Sequence, residues 1–570
     1  MSSLKRRNFL QMLPSVAALP RLLAQSPEHS PGGASELRCD VAVIGGGVGG
    51  FAAGLAALRN GMHVVLTEET DWVGGQLTAQ AVPPDEHPWI EQFGGTRSYL
   101  DYRTTVRDYY RHHYPLTEQA RARANLNPGN GTVSRLTHEF RVSVSVLEAM
   151  LLPYLGNGQL TLLLQHVPQA AEVNGDRVST VTVRDIRLGV VRTITASYFI
   201  DATELGDLLP LTKTEFVTGA EPQSKTGELH APATAQPANS QSFTFCYAVD
   251  YLPGEDHTIE KPADYAFWRD YVPKLTPPWT GKLLSWSMCE PKTLARRDAY
   301  FDPRPDAPPR GGLNLWTYRR IADPANFLPG TYPSAITLVN WPQNDFWLGD
   351  LVTAAAEEQK QLLLRAKQLS LSLLYWMQTE APGPNDTAGW KRLRLRRDIV
   401  DTEDGLAKTV YIREARRIEA EFTILEQHVG TEMRTSKAAS PSDVSAAVFP
   451  DSVGVGCYRI DLHPSAGGTN YIDVSSLPFQ IPLGALIPKR IENLLAACKN
   501  IGSTHISNGC YRLHPVEWNI GEAAGAVAAH AVKIKQSPRA IRNDKRLLHD
   551  FQTSLEAQGF ELAWPRIHPV

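Results

Sequence analysis

The most regular hydrophobic pattern in the chain lies near its N-terminal end. Cys39–Ile44 is a short apolar run, and a glycine-rich turn separates it from an Ala/Leu-rich segment at 51–60. Gly61 interrupts the pattern, and a second apolar run follows at 62–67. This succession predicts a strand, a tightly packed helix and a second strand. Strands joined in this way pair in parallel through a right-handed crossover.

The rest of the chain alternates between regular and irregular patterns. Residues 215–345 and the stretch from about 381 to 480 are rich in turn residues, which predicts long irregular connections. A polar helical region is predicted at 100–150. Strands are predicted at 159–164, 177–183 and 192–200, with a turn at 174–175 between the first two. A long helix is predicted at 348–380, and a strand followed by an Ala/Gly-rich helix is predicted within 491–532.

Composition narrows the class of protein. The chain has 570 residues and a net charge of −3, so it is too long for one simple domain and has no basic excess for nucleic acid. The sequence contains no run of about 18 apolar residues, so it predicts no membrane span. The six cysteines form no CxxC pair, which argues against an iron–sulfur cluster, a zinc ribbon or a thioredoxin-like centre. A single disulfide between Cys498 and Cys510 is a minor alternative.

The glycine-rich turn has the spacing GxGxxG and carries the first candidate chemistry. Such a turn lets a backbone approach a diphosphate and lets the following helix direct its free N–H groups at the phosphates. Glu68 follows at the end of the second predicted strand, 18 residues after the last glycine, where it can accept hydrogen bonds from ribose hydroxyls. The alternative is a structural turn beside a solvated glutamate. The turn residues predicted to bind the nucleotide are Gly45, Gly47, Val48, Gly49 and Gly50.

Three later segments decide which nucleotide is expected. They are Asp71–Thr78 (DWVGGQLT), Tyr198–Asp207 (YFIDATELGD) and the region 493–525, which contains RLHPVEWNIGEAAG at Arg512–Gly525. With the glycine turn, they resemble the FAD-dependent oxidoreductase family of the glutathione-reductase-like flavoprotein superfamily. Glu204 departs from this resemblance, because the family usually has glycine there, and a glutamate accepts a left-handed conformation poorly.

The resemblance implies roles for individual residues. The Gly-Gly segment would run beneath the diphosphate and ribityl chain, and the helix after Pro515 would direct its N-terminus at the pyrimidine edge of the flavin. The residues implied in FAD binding beyond the turn and Glu68 are Gly74, Gly75, Gln76, Val167, Ala202, Thr203, Asn519, Ile520 and Gly521.

The resemblance also implies the fold class. We expect an α/β protein with a discontinuous, mainly parallel Rossmann-like FAD-binding domain and an inserted α+β substrate or cap domain. The expected units are an export signal at 1–25, a linker at 26–37, three parts of the FAD-binding domain at 38–154, 155–215 and 480–535, a cap at 216–479, and a C-terminal extension at 536–570.

Oxidation by a flavin needs a proton acceptor near the substrate, and histidine suits that role near neutral pH. His514 and His463 are the candidates, with structural histidines as the alternative. Arg413 is a candidate for binding a carboxylate or an oxyanion. The alternative is a surface helix start on which Arg413 and Arg417 share a face. Residues 340–345 are the preferred substrate loop. The tryptophans between 261 and 390 form either a core or stacking walls, and a core is favoured.

The function expected is an FAD-dependent dehydrogenase or oxidase. It would transfer a hydride from a small organic substrate to flavin N5 and pass the electrons to an unknown acceptor. The alternatives are a flavin monooxygenase, which is disfavoured because no second GxGxxG occurs, and a redox-silent flavoprotein such as an isomerase or a protein that keeps FAD structurally.

The N-terminus resembles a twin-arginine export signal. Arg6 and Arg7 precede Phe9-Leu10, a modestly apolar stretch follows, and Ala24 suits cleavage. The alternative is a basic N-terminal arm. The signal predicts a periplasmic or secreted protein.

Overall fold

The computed structural model describes residues 35–565 apart from 305, 306, 308, 309 and 384–386. The predicted export signal at 1–25, and all but the last three residues of the predicted linker, lie outside the described residues. Within the described part of the chain, every helix is too short or too polar to cross a bilayer.

The strands and helices follow in chain order. The strands are β1 Ser35–Ile44, β2 Val64–Glu68, β3 Leu160–Leu164, β4 His166–Asn174, β5 Arg177–Asp185, β6 Val191–Asp201, β7 Phe216–Val217, β8 Phe243–Thr244, β9 Tyr247–Tyr251, β10 Ser287–Cys289, β11 Arg296–Asp298, β12 Arg320–Ala322, β13 Ile336–Val339, β14 Asp345–Phe346, β15 Leu393–Leu395, β16 Arg417–Ile418, β17 Ser452–Gly456, β18 Ile460–Leu462, β19 Ile472–Val474, β20 Phe479–Pro482 and β21 Leu494–Ala496. The helices are α1 Val48–Arg59, α2 Arg97–His113, α3 Glu118–Ala122, α4 Phe140–Gly156, α5 Leu208–Leu211, α6 Gln223–Thr226, α7 Tyr265–Asp270, α8 Leu315–Tyr318, α9 Ala356–Thr379, α10 Arg397–Val400, α11 Glu426–Val429, α12 Thr431–Thr435, α13 His505–Tyr511, α14 His514–Ile534, α15 Pro538–Asn543 and α16 Lys545–Gln558.

The main sheet collects strands that are far apart in the sequence. Its order is β3-β2-β1-β6-β5-β4, and β21 also pairs with β6. The pairs β3–β2, β2–β1, β1–β6 and β6–β21 are parallel, whereas β4 and β5 are antiparallel additions. Asp201 is in register with both Ile44 and Ala496. The carboxyl ends of three strands therefore meet at one edge, which is where ligands bind in such sheets.

Small residues allow two helices to pack closely on this sheet. A Cβ atom on Gly521 of α14 would lie 1.9 Å from the carbonyl oxygen of Gly49 in α1, and one on Gly525 would lie 2.0 Å from that of Ala53. Because the two backbones touch, side chains larger than hydrogen do not fit at these two positions. The packing explains why α1 is buried along nearly its whole length.

A second hydrophobic cluster lies around the antiparallel sheet β12-β13-β9-β15 and the long helix α9. The tryptophans favoured as core residues belong to it. Seven are buried, and Trp286 packs against the cluster from its edge. The seven are Trp268, Trp279, Trp316, Trp341, Trp347, Trp376 and Trp390.

Several boundaries and one helix differ from the sequence-based predictions. The polar helical region at 100–150 consists of α2, α3 and α4, and α9 begins at Ala356 rather than near 348. The helix α13 was not predicted. The alternative in which Arg413 and Arg417 share a helix face is wrong, because 411–416 is not helical. Cys498 and Cys510 are both free thiols.

Candidate active site

A cavity of about 280 Å³ lies at the carboxyl edge of the main sheet. The ends of β1, β2 and β6 supply its walls, together with the start of β4 and the segment 409–412. The predicted FAD-binding residues that line it are Gly45, Gly47, Glu68, Gly75, Val167, Ala202 and Thr203. The fold thus brings together residues from three separate stretches of the chain.

The glycines of the turn have different tasks. Gly45 has a left-handed φ of 101°, and a Cβ there would lie 2.2 Å from the carbonyl oxygen of Ala202. A Cβ on Gly50 would be similarly close to the backbone of Gly45, and one on Gly49 would be similarly close to the backbone of Ala497. Gly47 is different, because a Cβ there would meet only the carboxylate of Glu204, at 2.6 Å. Gly47 is therefore the glycine that leaves room over the turn for a ligand.

Glu68 ends β2 with its carboxylate held in place. Oε2 accepts a hydrogen bond from the backbone N–H of Gly46 at 3.0 Å, and Oε1 accepts from the backbone and hydroxyl of Thr70 at 2.9 and 2.8 Å. Burial raises the pKa of Glu68 to about 8. The three hydrogen bonds fix its carboxyl group at the cavity wall, in a position that suits a hydrogen bond with a ribose hydroxyl.

A buried ion cluster lies beside the glycine turn, and the sequence did not reveal it. Lys499 Nζ lies 2.7 Å from Glu204 Oε2 and 3.0 Å from Glu517 Oε2. Glu517 also accepts from Gln76 Nε2 at 2.8 Å. Burial raises the pKa of Glu517 although Lys499 opposes the rise. Glu204 itself avoids positive φ, and Gly206 takes the left-handed position instead, at φ 69°.

A second set of polar side chains, the polar cluster, comprises Asp345, Tyr411, Arg413, Asp461, His463 and Arg512. Asp345 Oδ2 lies 2.6 Å from His463 Nδ1, and Arg413 Nη2 donates to Asp345 Oδ1 at 3.0 Å. Burial raises the pKa of Asp345, but Arg413 and His463 outweigh it and lower the pKa to about 2. Asp345 is therefore an anion that orients the imidazole of His463.

The polar cluster adjoins the cavity through two connections. Arg512 donates to the Tyr411 hydroxyl at 2.9 Å and to the Asp461 carbonyl oxygen at 2.8 Å, while its own carbonyl oxygen accepts from Gln76. Val410 and Ile412 line the cavity, whereas the side chains of the alternate residues Tyr411 and Arg413 belong to the cluster. The segment 410–413 is thus shared by both.

The two predicted histidines occupy different environments. His514 is fully buried at the first residue of α14, and its Nδ1 accepts from the backbone N–H of Asp85 at 3.0 Å. Burial lowers the pKa of His514 to about 4, so its ring is neutral at pH 7. His463 keeps 20% of its side chain exposed and has a carboxylate partner. Its geometry suits a base better.

The residues 519–521 lie inside α14 rather than at its start. The helix begins at His514 with Pro515 in its first turn, so Asn519, Ile520 and Gly521 lie beyond that turn. Asn519 instead accepts from the backbone of Val455 at 3.1 Å, and Gly521 packs on Gly49. These contacts give Asn519 and Gly521 packing roles. The cavity lining contains none of the three among the described residues.

Buried polar atoms without a partner among the described residues mark where a ligand would fit. Both amide atoms of Gln80, Oε1 of Gln76 and Nε2 of His514 are such atoms. Buried polar groups are normally hydrogen-bonded, so several in one region point to a polar ligand. A groove over a glycine turn, an acid at the end of β2 and unpaired amides beyond them fit the diphosphate, ribose and ring system of a dinucleotide.

Comparison with known families agrees with this chemistry. The family model described as FAD dependent oxidoreductase matches residues 40–555. The chain belongs to this family. It is an FAD-dependent enzyme, and the predictions of the cofactor and of oxidoreductase activity are confirmed.

Three of the solved structures that match the chain do so at low sequence identity and low TM-score. An L-proline dehydrogenase from P.horikoshii is 16% identical over 34% of this chain and 25% of its own, with a TM-score of 0.18. The anhydrotetracycline hydroxylase OxyS from Streptomyces rimosus is 11% identical over 91% and 66%, with a TM-score of 0.30. The E. coli quinol fumarate reductase subunit FrdA is 12% identical over 92% and 74%, with a TM-score of 0.31. No curated protein matches the sequence. The chain spans only a quarter of the L-proline dehydrogenase.

Proposed function

We propose that this enzyme is a dehydrogenase or oxidase that removes two electrons from a small organic molecule. The observation that carries the proposal is the Asp345–His463 pair, in which a buried carboxylate holds an imidazole that is still partly exposed. Such a pair is suited to accept a proton from a substrate O–H or N–H group, because the carboxylate fixes the ring and stabilises its charged form. The acceptor of the electrons is not identified.

The residues around the cavity would hold FAD by its diphosphate and ribose. Gly47 and the N-terminus of α1 suit the diphosphate, and Glu68 suits the adenosine ribose. The N-terminus of α14 supplies backbone N–H groups and a positive dipole end for the flavin ring. Bound FAD would accept the substrate's two electrons as a hydride.

Arg413 and Arg512 would organise the part of the site that receives the substrate. Arg413 positions Asp345, and Arg512 holds the Tyr411 hydroxyl. Both guanidinium groups are buried, so their fields act in a medium of low polarity. They would orient a polar substrate against His463 and exclude water from the reacting bond.

The division of the chain into domains is part of the proposal. We infer a glutathione-reductase-like FAD-binding domain from 38–154, 155–215 and 480–535, with 216–479 inserted as a substrate cap. The discontinuous parallel sheet and the separate hydrophobic cluster around β9 and α9 support this division.

We also propose twin-arginine export through residues 1–25, on the sequence Arg6-Arg7-Asn8-Phe9-Leu10. N-terminal sequencing of the mature protein from the periplasmic or secreted fraction tests this, with the Arg6→Lys/Arg7→Lys double variant as control. Retention of the natural chain inside the cell, with an intact N-terminus, contradicts it.

The reaction is tested by an anaerobic spectral screen of the purified holoprotein against alcohols, sugars, amines and hydroxy and amino acids. Direct bleaching of the flavin by one class, with at least 100-fold slower bleaching in His463→Asn, supports the proposal (a general base contributes about 10² to 10⁴ in rate). Reduction only by NAD(P)H indicates a monooxygenase instead. Turnover without net oxidation indicates a redox-silent enzyme.

A further inference from the structure

Arg319 is a buried arginine whose guanidinium lacks adequate partners. The residue is 9% exposed and lies directly before β12. Its Nε and Nη1 atoms are buried without a hydrogen-bond acceptor among the described residues. The nearest carboxylate oxygen, Asp85 Oδ1, is 3.5 Å from Nη1 and receives no hydrogen bond from it. Arg319 therefore has N–H donors that remain available to a ligand.

The neighbours of Arg319 place it at the reacting end of the site. Asp85 contacts His514 at the start of α14 through its backbone N–H. Arg319 interacts electrostatically with Asp85 and with three tyrosines, Tyr318, Tyr411 and Tyr458. Tyr411 belongs to the polar cluster. Arg319 thus lies between the antiparallel sheet β12-β13-β9-β15 and the start of α14, the helix proposed to direct its N-terminus at the flavin ring.

Arg319 lies beside the polar cluster and is less well compensated than the two arginines of that cluster, Arg413 and Arg512. Asp345 forms ion pairs with Arg413 and His463. Asp461 lies 3.4 Å from Arg512 and 3.6 Å from His463. Asp85 alone remains for Arg319, at salt-bridge distance without a hydrogen bond. A buried charge with unmet donors is costly unless a ligand completes it. A planar carboxylate accepts two parallel hydrogen bonds along the Nε–Nη2 or the Nη1–Nη2 edge of a guanidinium, and each of these edges contains one of the two unpaired donors of Arg319.

We propose that Arg319 binds a carboxylate group of the substrate, so that the enzyme oxidises a small carboxylic acid rather than a neutral sugar or alcohol. This rests on the proposed function. Arg413 and Arg512 of the polar cluster each have a buried, unpaired Nε atom. These two atoms supply further donors for the oxygens of the substrate carboxylate. The substrate carbon that loses its hydrogen would lie beyond the carboxylate, on the side of His463.

Matched probes that differ only in charge test the proposal. Holoenzyme is titrated with propionate and benzoate and, in parallel, with propionamide and benzamide, and the visible spectrum of the bound flavin is recorded. The same titrations are made with Arg319→Met, Arg319→Lys and the neighbouring control Arg320→Lys. Arg320 donates to the Gly129 carbonyl at 2.7 Å and pairs with Asp323, so it has no part in the site.

We expect the carboxylates to bind and the amides to bind at least tenfold more weakly. Arg319→Met should weaken carboxylate binding about 100-fold and Arg319→Lys about tenfold, as loss of one charge-assisted pair predicts. Arg320→Lys should leave binding unchanged. The FAD content and melting temperature of each variant establish that it is folded, and the lysine variant retains the charge if the methionine variant does not fold.

Two results overturn the proposal: binding of no carboxylate, or equal carboxylate binding by the natural protein and a folded Arg319 variant. An anaerobic reduction assay with lactate and alanine, set against propane-1,2-diol and 2-aminopropan-1-ol, separates this failure from that of the proposed function. Reduction only by the compounds that lack a carboxylate overturns only the carboxylate inference. Carboxylate binding that depends on Arg319, without flavin reduction by any compound in the wider screen, contradicts only the proposed function.

Discussion

The Oδ2 atom of Asp345 lies 2.6 Å from Nδ1 of His463, although 118 residues separate them in the chain. Asp345 comes from β14 and His463 directly follows β18. Thr244 Oγ1 and Arg413 Nη2 both donate to the other oxygen of Asp345, so its carboxylate has one orientation. A proton on Nδ1 is thereby directed at Asp345, and Nε2, the nitrogen left to accept a proton, lies 3.6 Å from Asp461 Oδ2.

We predict that Asp345→Asn lowers kcat by about 10- to 100-fold, since an amide neither orients nor stabilises the imidazolium as well as a carboxylate. KM and the FAD content should change little, because Asp345 is absent from the lining of the FAD cavity. Steady-state kinetics with the compound class that bleaches the flavin in the anaerobic screen measure this. The control is Asp404→Asn, which removes a half-exposed pair with Lys367. A proportional loss of FAD in Asp345→Asn would mean that the residue has a structural role instead.

Gly47→Ala should separate cofactor binding from folding. The added Cβ meets only the flexible carboxylate of Glu204, so the fold should tolerate it, but it fills the space over the turn that a diphosphate needs. We expect FAD affinity to fall on the order of 100-fold with the apoprotein melting temperature unchanged. FAD titration by fluorescence and thermal unfolding measure the two effects. Gly54→Ala is the control, since a Cβ there is at ordinary contact distance, 3.6 Å, from Leu66. Unaltered FAD affinity in Gly47→Ala would remove the turn from the diphosphate site.

His514 should make the protein acid-sensitive. Its pKa is lowered to about 4 by burial, whereas an unfolded histidine has a pKa of about 6.5. Between these values the unfolded chain binds more protons, so the free energy of unfolding falls as the pH is lowered. From pH 7 to pH 5 this residue should account for about 2 kcal/mol. Urea unfolding of the holoprotein and of His514→Gln at both pH values measures it. The variant should lose less stability on acidification than the natural protein, and an equal loss contradicts the assignment.

Lys499 should be essential to stability because it is fully buried between two carboxylates. Lys499→Met leaves Glu204 and Glu517 without their cation, which should lower the free energy of unfolding by about 3 kcal/mol. Denaturant unfolding measures the loss. The double variant Lys499→Met/Glu517→Gln should recover part of it, because one of the stranded charges is gone. A double variant less stable than Lys499→Met would show that the hydrogen bonds of Glu517 outweigh its charge.

The local pattern of the sequence was sufficient for the strand–turn–helix–strand unit and for several residues that line the cavity. The apolar runs around the glycine turn predicted β1, α1 and β2 with Glu68 at the end of β2, and the family-like segments placed Gly75, Ala202 and Thr203 beside them. These predictions succeeded because strand, turn and helix preferences are local, and because a glycine at a backbone contact leaves a recognisable spacing. FAD as cofactor followed from the same segments.

The pairing of the candidate catalytic residues was decided only by the tertiary structure. Asp345 stood in the predicted substrate loop, but nothing local linked it to His463 or to Arg413. Lys499, Glu517 and Arg319 carried no signal, because a lysine, glutamate or arginine in a sequence looks the same whether it is solvated or buried. Burial and pairing depend on chain segments that meet only after folding, and they determine which histidine is neutral, which is oriented and which arginine still lacks a partner.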